Sequence, residues 1–143
     1  MNDLPIELRK GEFVISTDRA RMPPPVVLRL LHDTHWGGGM TLEVLERAIA
    51  NSVCFGLFER NTLVGFGRAV TDLATYAYWT DVVIAEEYRG QGLGRWLSEC
   101  MLAHPELQGL RRVALLTRDA AELYTGVGFS LGPGSLIYME RRR

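Results

Sequence analysis

The chain has 143 residues, 47% hydrophobic and 23% charged, with 16 Lys and Arg against 17 Asp and Glu. That length suits one domain, 1–143, able to bury roughly two-thirds of its unfolded surface, and a formal charge of -1 argues against broad attraction to nucleic acid or an anionic membrane. The opening Met1-Asn2-Asp3-Leu4-Pro5 lacks the basic and apolar regions of a secretory signal, and no apolar run approaches a membrane span.

In chain order, 12–17 alternates weakly and reads as a first strand. Pro23-Pro24-Pro25 gives a stiff entry to an apolar segment, 26–31, expected to be a short helix. His32 to Met40 holds Trp36-Gly37-Gly38-Gly39, a glycine-rich loop with one large aromatic. Thr41 can cap the next helix, where Leu42, Leu45 and Ile49 recur at helical spacing and Glu43 and Glu46 fall near the start. From Val53 the period changes: 53–59 and 63–71 are β runs joined by Arg60-Asn61-Thr62, which predicts a hairpin, and 76–85 is a third long strand. Leu93, Trp96, Leu97, Cys100 and Met101 mark one helix face that ends near His104-Pro105. A short apolar strand is expected at 113–117, then a brief helix capped by Asp119 and running through Tyr124 to Gly126 and Gly128. Closing strands are expected at 129–131 and 136–140, around Gly132-Pro133-Gly134. The order β-α-α-β-β-β-α-β-α-β-β describes an α/β (α+β) domain with a mixed, mostly antiparallel sheet and helices on both faces. Cys54 and Cys100 form no CxxC or Cys/His cluster, so the expectation is two buried thiols in a reducing cytoplasm and no metal.

The most informative stretch is Asp81-Val82-Val83-Ile84-Ala85-Glu86-Glu87-Tyr88-Arg89-Gly90-Gln91-Gly92-Leu93-Gly94-Arg95. An apolar strand runs into a basic, glycine-rich turn that opens an amphipathic helix. Glycines permit close backbone approach, and a helix start offers free N–H groups and partial positive charge, which together cradle a phosphate or pyrophosphate. A dinucleotide fingerprint needs G-x-G-x-x-G, but Arg95 stands where the last glycine would fall; G-x-x-x-x-G-K-[ST] occurs nowhere.

What remains, Arg89-x-x-Gly92-x-Gly94 after a strand, resembles the acyl-CoA pyrophosphate loop of the GNAT (Gcn5-related N-acetyltransferase) superfamily. The run Val83-Ile84-Ala85-Glu86-Glu87-Tyr88-Arg89-Gly90 is similar to that family's Val-x-Pro-x-Tyr-Arg-Gly strand end, with Ala85 where proline is usual. A second segment, Thr117-Arg118-Asp119-Ala120-Ala121-Glu122-Leu123-Tyr124-Thr125-Gly126-Val127-Gly128-Phe129, resembles the family's Asn-x-x-Ala-x-x-Leu-Tyr-x-x-x-Gly-Phe, with Ala121, Leu123, Tyr124, Gly128 and Phe129 taken as matches and the asparagine missing near Arg118 or Asp119.

The resemblance implies acetyl-CoA as co-substrate and an amine, of a small molecule, as acceptor that attacks directly. It implies that the amides of Gln91, Gly92, Gly94 and Arg95 hold the pyrophosphate, that Gly90 and Leu93 complete the loop, and that Arg89 orders it. The pantetheine arm would lie along Val82, Val83 and Ile84, with Ala121 close by. A free strand N–H, that of Val83, would meet the developing oxyanion, and Tyr124 would protonate the leaving thiolate. For the base that deprotonates the amine, Asp81, Asp72, Glu86 and His35 are candidates; Asp81 shares a strand face with Val83. The bland readings stand beside these: Asp81 pairing an arginine, Asp72 forming a turn, Tyr124 as a core aromatic, Trp36 and His35 as a packed ring and a surface histidine instead of a lid. An acyl-CoA-binding or regulatory domain on the same scaffold is the alternative function. Many family members are homodimers, and nothing in the sequence decides that here.

Overall fold

The computed structural model describes residues 4–32 and 39–142. Among them the chain forms β1 (Glu7–Lys10), β2 (Phe13–Ser16), α1 (Pro24–His32), α2 (Leu42–Ala50), β3 (Val53–Glu59), β4 (Thr62–Thr71), β5 (Tyr76–Ile84), α3 (Leu93–Ala103), β6 (Arg112–Leu115) and α4 (Ala121–Gly126). The strands make one sheet in the order β1-β2-β3-β4-β5-β6. Neighbours are antiparallel except β5 and β6, which are parallel. A parallel pair needs a crossover, and α3 supplies it.

Helices cover both faces, so the sheet separates two apolar cores. On one face α3 buries Leu93, Leu97 and Met101 against Phe55, Leu57 and Trp79. On the other, α1 and α2 bury Val27, Leu31, Leu45 and Ile49 against Phe66 and Val83. The caps follow the sequence logic at α2, where Thr41 Oγ1 accepts from Val44 N at 3.3 Å. Cys54 and Cys100 are buried free thiols, one in each core. No helix among the described residues is long and apolar enough to cross a membrane.

Three sequence expectations need correction. First, an extra strand, β1, precedes the expected one; all four of its residues are exposed, so it carries no apolar alternation and is held by backbone pairing to β2. Second, 129–131 and 136–140 are not strands: they have suitable side chains but no sheet partner among the described residues. Third, Asp119 does not cap α4. Ala120 holds the cap position without a side-chain bond, and Thr117 Oγ1 accepts from Ala120 N at 3.0 Å one turn earlier. The observed order is therefore β-β-α-α-β-β-β-α-β-α.

Candidate active site

The site begins where β5 leaves its neighbour. β6 pairs with β5 only from Tyr76 to Trp79, ending at Leu115, so β5 beyond Trp79 has a free edge. On its other side β5 bulges. Phe66 faces Val83, but Arg68 faces Thr80, so Asp81 and Val82 together oppose Gly67. Asp81 sits in the left-handed region at φ 55, a conformation that aspartate tolerates better than most side chains. Arg68 holds it there: Nε and Nη2 both reach Asp81 Oδ2, at 2.9 and 2.8 Å. Asp81 thus pairs with an arginine while also forming part of a cavity wall.

Beyond the bulge the ladder fixes which backbone groups face outward. Ala85 N donates to Val64 O at 2.8 Å, and Val83 stands opposite Phe66 two residues back, so the amide and carbonyl of Val83 turn toward β4. Ile84 then faces the open edge, and its carbonyl accepts from Arg89 Nε at 2.9 Å. By this parity the amide of Val83, the expected oxyanion donor, faces β4, and the amide on the free edge is that of Ile84.

The loop follows directly. Tyr88 anchors it, donating its hydroxyl to Glu59 Oε1 at 2.8 Å and packing edge-on to Phe13. Arg89 ties it to the end of β5 instead of pairing with Glu86 or Glu87. Gly90 and Gly92 take φ of 82 and 81, which L side chains rarely adopt, and among the described residues no atom beyond the chain neighbours lies within 4 Å of where either Cβ would stand. The space above the loop is therefore open. The first bond of α3 runs from Trp96 N to Gly92 O at 3.1 Å, leaving the amides ahead of it without intrahelical partners. Arg95, at the loop's end, donates to Gly126 O at 3.2 Å and lies 3.8 Å from Glu99.

Two cavities meet here. One, of about 600 Å³, is walled by Val82, Val83 and Ile84, by 88–90 and 92–95 of the loop and α3, and by Leu123 and Tyr124 of α4. The other, of about 390 Å³, lies between 78–82 and 115–120. Val82, Asp119, Ala120 and Tyr124 belong to both walls. Gln91 and Ala121, both nominated from sequence, wall neither cavity. Ala120 stands where Ala121 was expected. The spacing contained this signal, because the family's Ala-x-x-Leu-Tyr run counts back from Leu123-Tyr124 to Ala120, and its asparagine to Thr117.

Tyr124 packs edge-on against Trp79 and Phe129, with centroids 6.4 and 5.8 Å away. Burial pushes its phenol above the ordinary value, so the hydroxyl remains protonated across the neutral range. Asp72 is a turn residue, accepting from the amides of Ala74, Thr75 and Tyr76. His35 and Trp36 lie outside the described residues. No group of three or more His, Cys, Asp or Glu that could hold a metal ion occurs among the described residues.

A family profile described as an acetyltransferase (GNAT) domain matches residues 50–131. The Gibberella zeae protein FG08082, an acetyltransferase by name, is 32% identical over 138 residues, covering 80% of this chain and 77% of its own. Among solved structures, a Xanthomonas campestris pv. campestris protein assigned to the same family superposes with a TM-score of 0.84 at 41% identity, over 92% of this chain and 93% of that one. Glucosamine-6-phosphate N-acetyltransferase of Arabidopsis thaliana superposes with a TM-score of 0.68 at 20% identity, over 91% and 97% of the two chains. That last likeness is one of fold alone.

Proposed function

The chain belongs to the GNAT family of acetyltransferases, and from that premise we propose that it moves an acetyl group from acetyl-CoA to the amine of a small molecule. The observation that carries this reading is the position of Tyr124, in the wall shared by the two cavities. The larger cavity suits acetyl-CoA. Its open end, above Gly90 and Gly92 and the free amides of the α3 start, fits a pyrophosphate, and the free edge of β5 fits an extended arm that forms strand-like bonds. Bound acetyl-CoA supplies an activated acyl group and a thiolate leaving group.

The remaining work falls to the chain's own residues. The amides before Trp96 hold anionic oxygens, and the Arg89 bond to Ile84 O fixes the loop against β5. The Ile84 amide is a fixed donor beside the larger cavity, suited to charge developing on an oxygen there. Tyr124 holds a proton for the departing sulfur. Of the two carboxylates that wall the smaller cavity, Asp81 is committed to Arg68 and Asp119 is not, so Asp119 is the better placed group to take the ammonium proton.

The test starts with the thermal midpoint in the presence of acetyl-CoA, with NAD and ATP as controls. A ligand at about 100 times its dissociation constant adds about 2.7 kcal/mol, several degrees for a domain of this size. A shift with acetyl-CoA alone, followed by amine-dependent release of free thiol in an acceptor screen, supports the reading. A shift with a nucleotide alone, or none, removes its basis.

A further inference from the structure

Asp81, Arg118, Asp119 and Arg142 all wall the smaller cavity, and two of these charges are already answered. Arg68 takes Asp81 at 2.8 Å, and Arg142 Nε donates to Glu140 Oε1 at 2.8 Å. Glu140 is engaged a second time by the Tyr138 hydroxyl, which donates to Oε2 at 2.9 Å. Arg118 and Asp119 remain: among the described residues neither has an ion-pair partner. They are consecutive, in the bend between β6 and α4, and Thr117 Oγ1 closes that bend around them by accepting from Ala120 N at 3.0 Å. One unmatched cation and one unmatched carboxylate therefore share a wall with Tyr124.

We propose that Arg118 selects the acceptor, binding an anionic group, carboxylate or phosphate monoester, on the same small molecule whose amine receives the acetyl group. This inference rests on the acetyl-transfer reading and names the acceptor class for it. An acceptor amine arrives as an ammonium ion, and Asp119 answers that charge. A simple amine would leave Arg118 unmatched beside it. A diamine would set its second ammonium against the guanidinium, like charge against like. An amine that also carries an anion matches both side chains. The guanidinium suits the task, because its planar fork of N–H donors meets two oxygens of a carboxylate or phosphate at once.

The rest of the wall agrees with a compact molecule. Val82, Leu115 and Leu116 offer apolar surface to the body of the acceptor, and about 390 Å³ lies at the small end for a ligand pocket. The division of labour also has a kinetic sign. Asp119 meets the group whose charge changes as the amine loses its proton. Arg118 meets a group that keeps its charge throughout, so it holds ground state and transition state alike and acts on KM instead of kcat.

The test compares amines matched except for the anion: leucine against leucinamide, and phosphoethanolamine against ethanolamine, with diaminobutane as the dication. Thiol release from acetyl-CoA is followed for the unmodified protein, Arg118→Ala and Arg118→Lys. Arg118 is exposed, so neither substitution threatens the fold. The charged member of at least one pair should be preferred about tenfold or more in kcat/KM. The two pairs tell a carboxylate from a phosphate. Arg118→Ala should raise KM for that member about tenfold at unchanged kcat and leave its neutral twin unaffected. Arg118→Lys, which keeps the charge and loses the fork, should restore part of the preference. Three results overturn the proposal and leave acetyl-CoA in the larger cavity: a preference for the neutral members or the diamine, a preference that survives Arg118→Ala, or no probe accepted by a protein whose thermal midpoint acetyl-CoA raises. A midpoint that acetyl-CoA does not move defeats the acetyl-transfer reading, and this inference with it.

Discussion

Arg68 and Asp81 meet across β4 and β5 with two guanidinium nitrogens on one carboxylate oxygen, at 2.8 and 2.9 Å, in side chains only 11% and 7% exposed. The third nitrogen, Nη1, reaches Ser52 Oγ at 3.0 Å, and that hydroxyl donates to Ala48 O of α2 at 2.6 Å. The bulge of β5 against β4 is therefore tied to the helical layer behind it. Because Asp81 carries a positive φ, the ion pair also secures a backbone conformation that the chain would otherwise relax.

Arg68→Met leaves a buried carboxylate without its partner. Breaking such a pair costs about 3 kcal/mol, or roughly 10 °C in midpoint for a domain of this size. Adding Asp81→Gly removes the orphaned charge and suits the left-handed backbone, so the double variant should regain part of that loss. Calorimetry of the two variants decides the matter: equal midpoints would mean that the pair does not hold the bulge.

Tyr124→Phe keeps the ring contacts with Trp79 and Phe129 and removes only the hydroxyl. The expected effect is a fall in kcat of about 100-fold or more, with acetyl-CoA affinity nearly unchanged. The pH profile carries a second sign. Burial raises this phenol above 10.0, so it loses its proton, and the enzyme its activity, only above pH 10; the variant should lack that alkaline limb. An unchanged kcat would reduce Tyr124 to a packing residue.

Gly92→Val places a side chain at φ 81, where among the described residues no atom beyond the chain neighbours lies within 4 Å of the new Cβ. The penalty is thus backbone strain of about 1–2 kcal/mol plus crowding of whatever anion the amides hold. Calorimetric titration with CoA should show at least a tenfold loss of affinity, while the circular dichroism spectrum stays native. Unchanged affinity would place the phosphates elsewhere.

How far the sequence could be read follows from which signals are local. The glycine loop and its helix were legible because Gly90, Gly92 and the free amides of α3 act within a few residues of one another. The Asp81 bulge was not, since its driving contact is Arg68, thirteen positions away and on another strand. β1 was invisible because exposed Glu7, Leu8, Arg9 and Lys10 carry no alternation, only backbone pairing. The closing strands failed for the opposite reason: 136–140 has strand-forming side chains and lacks a sheet partner among the described residues.

The two cysteines offer a test of the cores that is independent of any ligand. Burial pushes both thiols up from 9.0 to about 11, with Arg19 and Arg68 partly opposing this at Cys54 and Glu99 adding to it at Cys100. At pH 8 only about one thiol in a thousand is then thiolate, the form that reacts. A disulfide reagent should label the native protein slowly at both positions and label the denatured protein at once. The linkage has a definite sign: the folded pKa values are raised, so stability is full below pH 9 and falls above it, where unfolded thiols ionise and folded ones do not. Rapid native labelling at pH 8, or stability flat from pH 8 to 10.5, would show that Cys54 and Cys100 are reached by solvent and that neither core is closed as described.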